Sequence, residues 1–229
     1  MTAETTDLVI KRNISRADQK LLRNLDGVPT GWVTDAQDGR GALMHSIRPI
    51  TRNHHFVGSA ICIETRPLYN MAVLAVLPHL QPNDVVVVAT GGSDEAACFG
   101  DFMTGMARNC GAVGLVTDGL VRDLAGLNQV GVPVFARGLS PNPPFRDDGP
   151  GRIGFAVTIG GLEVKSGDVV VGDSDGVVVL PQSDLHAVLK RLDSVRAKEK
   201  EAEAMVRAGR KSLTGLIPAL AAKSVHYVD

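Results

Sequence analysis

The stretch DVVVVATGGSDEAACFGDFMTGMARNCGAVGLVTD, residues 84–118, decides the fold class. Val85 to Val88 form a short, continuous apolar run, the pattern of a strand covered on both faces. Phe102 to Cys110 places Met103, Met106, Ala107 and Cys110 on one helical face, and Gly111 supplies the stop. AVGLVTDG, residues 112–119, is a second buried strand. Strand, helix and strand over this length predict a parallel crossover. The expected fold is therefore α/β, a central β-sheet core flanked by helices.

Upstream, Ser15 followed by Asp18 and the periodic Leu21, Leu22 and Leu25 predicts a first helix capped at Ser15. Thr30 to Ala36 predicts a second. IRPI and FVGSAICIET read as strands, and residues 70–80, apolar nearly all round, as a buried or interface helix. Downstream, PNPPFRDDGPG is a long Pro/Gly loop after Pro133–Phe135. RIGFAVTI, LEV, DVVVG and GVVVLP then read as short, mostly antiparallel strands joined by glycine turns. From Ser183 a long helix carries Leu185, Val188, Leu189, Leu192 and Val195 on its apolar face. Beyond Ala197 it becomes mostly charged. The expected organisation is one domain over residues 1–229, with a helical extension from about 183 reaching toward a neighbouring subunit.

Of the 229 residues 44% are hydrophobic, enough for one substantial core, and the formal net charge is −1. Interspersed charge and only 4% aromatics leave no basic, stacking surface for nucleic acid. No run approaches the roughly 18–20 apolar residues that span a bilayer, and the opening residues lack the apolar core of a signal peptide. A cytoplasmic protein without membrane or nucleic-acid partners is expected. Cys62, Cys98 and Cys110, without CxxC spacing, read as reduced core thiols.

Several site motifs can be set aside. His54 and His55 are adjacent and would point to opposite faces of a strand. Asp173-Ser174-Asp175-Gly176 places its glycine too early for a calcium loop and reads as a β-turn. Walker A is absent, and the GxSxG match at Gly172–Gly176 and the GxGxxG match at Gly149–Gly154 lack the strand–turn–helix setting those motifs need, which also removes support for a nucleotide-using methyltransferase. Asp101 and Arg122-Asp123 remain. The crossover puts Asp101 after the loop that leaves one strand and Arg122-Asp123 just beyond the next, at the sheet edge where α/β proteins bind ligands. The amides of Phe102 and Met103, in the first turn of a helix, suit a carboxylate. Arg122 can meet an oxo acid with two donors, and Asp123 offers a hard oxygen to Mg²⁺ or Mn²⁺. Asp101 is also a good helix cap, and Arg122-Asp123 also reads as a solvated surface pair.

Asp101, twenty intervening residues, Arg122-Asp123, Gly126 and then Pro133–Phe135 resemble the signature of the aldolase branch of the RraA-like family. Phe99-Gly100-Asp101, VTDGLVRD at 116–123 and GDVVVGDSDGVVVLP at 167–181 extend the likeness over nearly the whole chain. The resemblance implies a swivelling β/β/α-type fold, a homotrimer or homohexamer, and Mg²⁺- or Mn²⁺-dependent retro-aldol cleavage of a 4-hydroxy-2-oxo dicarboxylate to release pyruvate, together with oxaloacetate decarboxylation. Position by position, it implies Asp123 as metal ligand and Arg122 on the substrate's oxo group. Asp101 would orient the ion's water, and the amides of Phe102 and Met103 would take the carboxylate. A glutamate from a neighbouring subunit's C-terminal helix would complete the site. Glu199 has the matching offset, with Glu201 and Glu203 as alternatives. Asn70 is the family's asparagine beside the substrate, whereas Leu74 stands where the family's aldolases carry His, and GRKSLTGL replaces their C-terminal stretch. Those departures concern the substrate's distal part. The family's namesake inhibits ribonuclease E, so a non-enzymatic protein regulator is the alternative. With no lysine between Lys20 and Lys165, Schiff-base chemistry lacks its residue.

Overall fold

The computed structural model describes residues 7–144 and 149–228. Part of the Pro/Gly loop at 141–151 thus lies outside the described residues. The chain starts with β1 (Leu8–Ile10), α1 (Gln19–Leu22), α2 (Thr30–Ala36), β2 (Arg48–Pro49) and β3 (Phe56–Thr65). The central segment holds α3 (Met71–Ala75), β4 (Asp84–Ala89), β5 (Ala97–Phe99), α4 (Asp101–Asn109), β6 (Gly114–Thr117), β7 (Leu120–Val121) and α5 (Leu124–Val130). Short strands follow: β8 (Val134–Ala136), β9 (Gly138–Leu139), β10 (Gly151–Ile153), β11 (Val157–Ile159), β12 (Leu162–Val164), β13 (Val169–Asp173) and β14 (Gly176–Leu180). Helices α6 (Leu185–Arg207) and α7 (Leu216–Ala221) end the chain.

Among the described residues the main sheet has nine strands, and β3, β4, β6 and β8 form its parallel centre. The crossover expected from residues 84–118 is there: Val85 pairs with Gly114 and Val88 with Thr117, in parallel. β3 is long enough to serve two partners on one edge, β13 along its first half and β10 along its second, both antiparallel. The later strands are antiparallel as expected, β11 with β12 and β13 with β14.

Alternation along these strands divides the core. Ile61, Ile63, Val86, Val88 and Leu115 face one side, under α3, α4 and α5. Ala60, Cys62, Val85, Val87 and Val116 face the other, against Phe135, Val170 and Val179. The unbroken valine run of β4 follows from this, because both of its faces are covered.

Four local expectations are corrected. The first helix is capped not by Ser15 but by Asp18, whose carboxylate accepts the Lys20 N–H at 2.8 Å. Ser15 instead donates to Gln182. The segment 70–80 is only one turn of α-helix and then a 3₁₀ turn at Leu77–His79, where Pro78 cannot donate to a continuing helix. IRPI supplies just the two-residue β2. On α4, Met103, Thr104 and Ala107 are buried, whereas Met106 is 43% exposed and Cys110 half-buried. The thiols of Cys62 and Cys98 are buried as read, and burial pushes each up to about 12.

An ion pair ties the N-terminal segment to the sheet. Arg16 holds the fully buried Asp84 through Nε and Nη2 at 2.8 and 2.9 Å, and Gln81 N–H adds a third bond to that carboxylate. The chain forms two compact units, residues 1–192 and 193–229. The second holds the charged continuation of α6, then α7. No helix among the described residues is long and apolar enough to cross a membrane.

Candidate active site

A second sheet, which sequence reading missed, positions the site. β5, β7 and β9 are short, mutually parallel strands: Phe99 pairs with Val121, and Val121 with Leu139. The ladder continues as Arg122 N–H donates to Phe99 O at 3.2 Å. Gly100-Asp101 and Arg122-Asp123 are therefore side by side because each pair directly follows a strand of the same small sheet.

Asp118, Arg137 and Cys98 hold this sheet's approach loop. The Asp118 carboxylate accepts Thr90 N–H at 2.7 Å, Thr90 Oγ1 at 3.0 Å and Gly92 N–H at 3.1 Å. Arg137 donates to Gly92 O and pairs with Asp94 at 3.0 Å. Cys98 Sγ donates to Leu120 O at 3.3 Å. Asp118 was legible only as part of VTDG; the signal for it is Thr90-Gly91-Gly92, a turn with two positive-φ glycines whose amides need an acceptor.

Asp123 has φ +62°, a left-handed conformation uncommon for a residue with a side chain. It begins α5, yet its carboxylate makes no capping bond there. Instead Oδ2 lies over Gly100, in space that a β-carbon would fill, and Arg122 Nε stands 3.2 Å from it. Asp101 is placed reciprocally. Its carboxylate packs against Gly126 of α5, and Oδ1 accepts the Phe102 N–H at 2.8 Å. Two glycines, one on each side, thus let two helix starts approach until both carboxylates face the same space.

That space is a cavity of about 290 Å³, at the small end of ligand pockets and suited to a small acid. Its polar lining is Asn70, Asp101, Arg122 and Asp123; the rest is Leu74, Phe99, Phe102, Met103, Met106 and Pro144. Asn70 is buried, and its Oδ1 has no donor among the described residues. The amide of Phe102 is occupied by Asp101 here, so of the two expected amides only that of Met103 has no acceptor among the described residues. The Phe102 ring is 83% exposed at the rim. Glu199 belongs to the C-terminal unit; it is half-buried there, Glu201 is exposed, and Glu203 pairs with Arg207 at 3.4 Å.

Residues 30–179 match the RraA-like family, described as Aldolase/RraA. The chain belongs to the RraA-like family. Within it, the chain is 33% identical over 190 residues, 83% of its own length and 88% of the relative's, to a Halalkalibacterium halodurans protein named "Putative 4-hydroxy-4-methyl-2-oxoglutarate aldolase". Of solved RraA-like structures, RraAS2 of Streptomyces coelicolor, named an unusual member of the RNase ES inhibitor RraA protein family, is 27% identical. It superposes with a TM-score of 0.72, covering 84% of this chain and 100% of that one. An uncharacterized Pseudomonas syringae protein at 23% identity shares the fold, with a TM-score of 0.75 over 86% of this chain and 96% of its own. The family's aldolase names support a lyase, and its fold is the mixed α/β architecture described above.

Proposed function

We propose that this RraA-like protein is a divalent-metal-dependent lyase that cleaves a carbon–carbon bond of a 2-oxo acid and releases pyruvate. The reactions are retro-aldol cleavage of a 4-hydroxy-2-oxo acid, with 4-hydroxy-4-methyl-2-oxoglutarate as the dicarboxylate named for its relatives, and decarboxylation of oxaloacetate. One observation carries the reading: the carboxylate of Asp123, in a strained backbone conformation and without a capping role, sits beside Arg122 over the glycine that begins α4.

The donor set fits Mg²⁺ or Mn²⁺. Among the described residues no three His, Cys, Asp or Glu side chains gather to enclose an ion. These hard cations need only one or two protein carboxylates and keep waters and substrate oxygens as their other ligands. Asp123 would hold the ion, with Asp101 close by. When bound, it supplies Lewis-acid stabilisation of negative charge on the oxo oxygen.

The chain's own residues do the rest. Arg122 binds the oxo acid and stabilises the enolate left when the C3–C4 bond breaks and its electron pair passes to C3. Met103 N–H takes the carboxylate. A water held by Asp101 accepts the hydroxyl proton and returns one to C3. In a trimer or a pair of trimers, Glu199 of a neighbouring copy would close the site. The unpaired thiols support a cytoplasmic setting.

A lactate-dehydrogenase-coupled assay for pyruvate, with Mg²⁺ and with excess EDTA, tests the reading. Turnover that is lost with EDTA and restored by Mg²⁺ or Mn²⁺ supports it; full activity after exhaustive chelation rules it out. The likeness to RraAS2 favours a second reading, a protein regulator without lyase activity. Absence of pyruvate release from every 2-oxo acid, with capture of RNA-degradation enzymes from lysate, would put that reading first.

A further inference from the structure

Among the described lining residues, charge in the cavity is confined to one cluster. Among its described lining residues, Asp101, Arg122 and Asp123 gather around Gly100, and Arg122 is the cation. The remaining wall is Leu74, Phe99, Phe102, Met103, Met106 and Pro144, with the Asn70 amide one helical turn before Leu74 on α3.

A 2-oxo acid that sets its carboxylate and oxo oxygen against Arg122 points its far end at thioether, phenyl and aliphatic surface. A second carboxylate there loses part of its water and gains no cation from the described lining residues, a costly exchange. An alkyl group is instead removed from water against Leu74 and Met106. Asn70 Oδ1, buried at 7% residue exposure and without a donor among the described residues, asks the ligand for one, and a hydroxyl provides it.

We infer that the site selects 4-hydroxy-2-oxo monocarboxylates with an apolar substituent at C4 over dicarboxylates. Leu74 and Met106 set the preference, and Asn70 accepts from the C4 hydroxyl as the substrate binds, before that proton passes to the water held by Asp101. This rests on the 2-oxo-acid reading of the site and narrows it. Cleavage of such a substrate is redox-neutral: C3 keeps the bonding pair and is protonated to give pyruvate, the hydroxyl gives up its proton, and C4 leaves as an aldehyde.

The test separates binding from turnover. 2-Oxohexanoate and 2-oxoglutarate have chains of similar reach, differ in the far end and contain no aldol bond to cleave. Calorimetric titration of the whole protein with each, in Mg²⁺, is expected to give at least tenfold tighter binding of 2-oxohexanoate. Leu74→Arg should shift the ratio tenfold or more toward 2-oxoglutarate. Met106→Lys, at a half-exposed position that tolerates charge, should shift it in the same direction and keeps the test usable if Leu74→Arg does not fold. Equal or tighter binding of 2-oxoglutarate by the unaltered protein, or no binding of either acid, overturns the inference. Tight binding of 2-oxohexanoate without pyruvate release from 4-hydroxy-2-oxohexanoate or oxaloacetate leaves the cavity assignment standing and removes the lyase.

Discussion

Asp123 Oδ2 occupies the position that a side chain on residue 100 would take, so Gly100 is the residue that lets this carboxylate enter the cavity. An added methyl would also come within 3.1 Å of Arg122 Cγ. Both neighbours are partly exposed and can swing outward, so Gly100→Ala should fold with little change in melting temperature. Its kcat/KM for pyruvate release should fall by about 10²-fold or more, because a displacement of about 1 Å near the chemistry has that effect. Equal kcat/KM for variant and parent would show that the Asp123 position is unimportant.

Asp123→Gly separates stability from function at one residue. Glycine adopts φ near +62° without the roughly 1–2 kcal/mol that a side chain costs there, which outweighs the extra chain entropy it loses, so the variant should be slightly more stable than the parent. It should also lose the dependence of activity on Mg²⁺ together with the activity itself. A variant that is less stable, or still responds to Mg²⁺, contradicts the assignment.

Replacement of Arg122 is predicted to lower kcat by on the order of 10²–10³ for alanine, the usual cost of losing a group that stabilises developing charge. Lysine should restore little, since a point charge cannot present two coplanar donors. Steady-state kinetics on both variants checks this; near-complete rescue by lysine would reduce the role of Arg122 to simple charge.

Arg16→Ala tests the fold away from the site. It leaves Asp84, fully buried, without its bidentate partner, and the loss expected for stranding such a charge is about 3–5 kcal/mol. Urea denaturation of Arg16→Ala and of the Arg16→Ala, Asp84→Ala pair should show the double variant recovering part of that loss. A single variant within 1 kcal/mol of the parent would mean that water reaches Asp84.

Alkaline pH should destabilise the fold through its thiols. In the folded chain Cys62 and Cys98 keep their protons to about pH 12, whereas in the unfolded chain they release them from about 9.0. The unfolded state then binds fewer protons, so this contribution is intact below pH 9 and falls as pH rises from 9 toward 12. At pH 10.5 the loss is at most about 2 kcal/mol per thiol. Denaturation of the Cys62→Ala, Cys98→Ala variant should show a shallower decline than the parent between pH 8 and 10.5; identical slopes would refute the thiol origin.

The parallel centre of the fold could be read directly, because Val85–Val88 of β4 is an unbroken apolar run and Leu115-Val116 of β6 follows one crossover helix later. What defeated the reading was structure made by contacts distant in sequence. β5, β7 and β9 are two or three residues long, too short for any periodicity, and they exist because Asp118 and Arg137 pin the loops that carry them. Met106 misled for a related reason: its spacing matches the buried face of α4, but that face ends where the cavity begins. Ser15 has the composition of a helix cap, yet its hydroxyl is taken by Gln182, far along the chain. At the site, Asp101, Arg122 and Asp123 were found by spacing and resemblance, whereas the work of Gly100 and Asp118 emerges only when side chains meet in space.

The small sheet of β5, β7 and β9 has a bearing on how such a protein diversifies. Its strands lead into Asp101, Arg122 and Asp123 and share no ladder with the nine-stranded platform, although Cys98, Phe99 and Val121 pack into the platform's core. Selection can therefore exchange residues at the cavity's rim, the half-exposed Met106 among them, while the platform's ladders stay paired. One lineage can in this way hold many tastes on an unchanged frame.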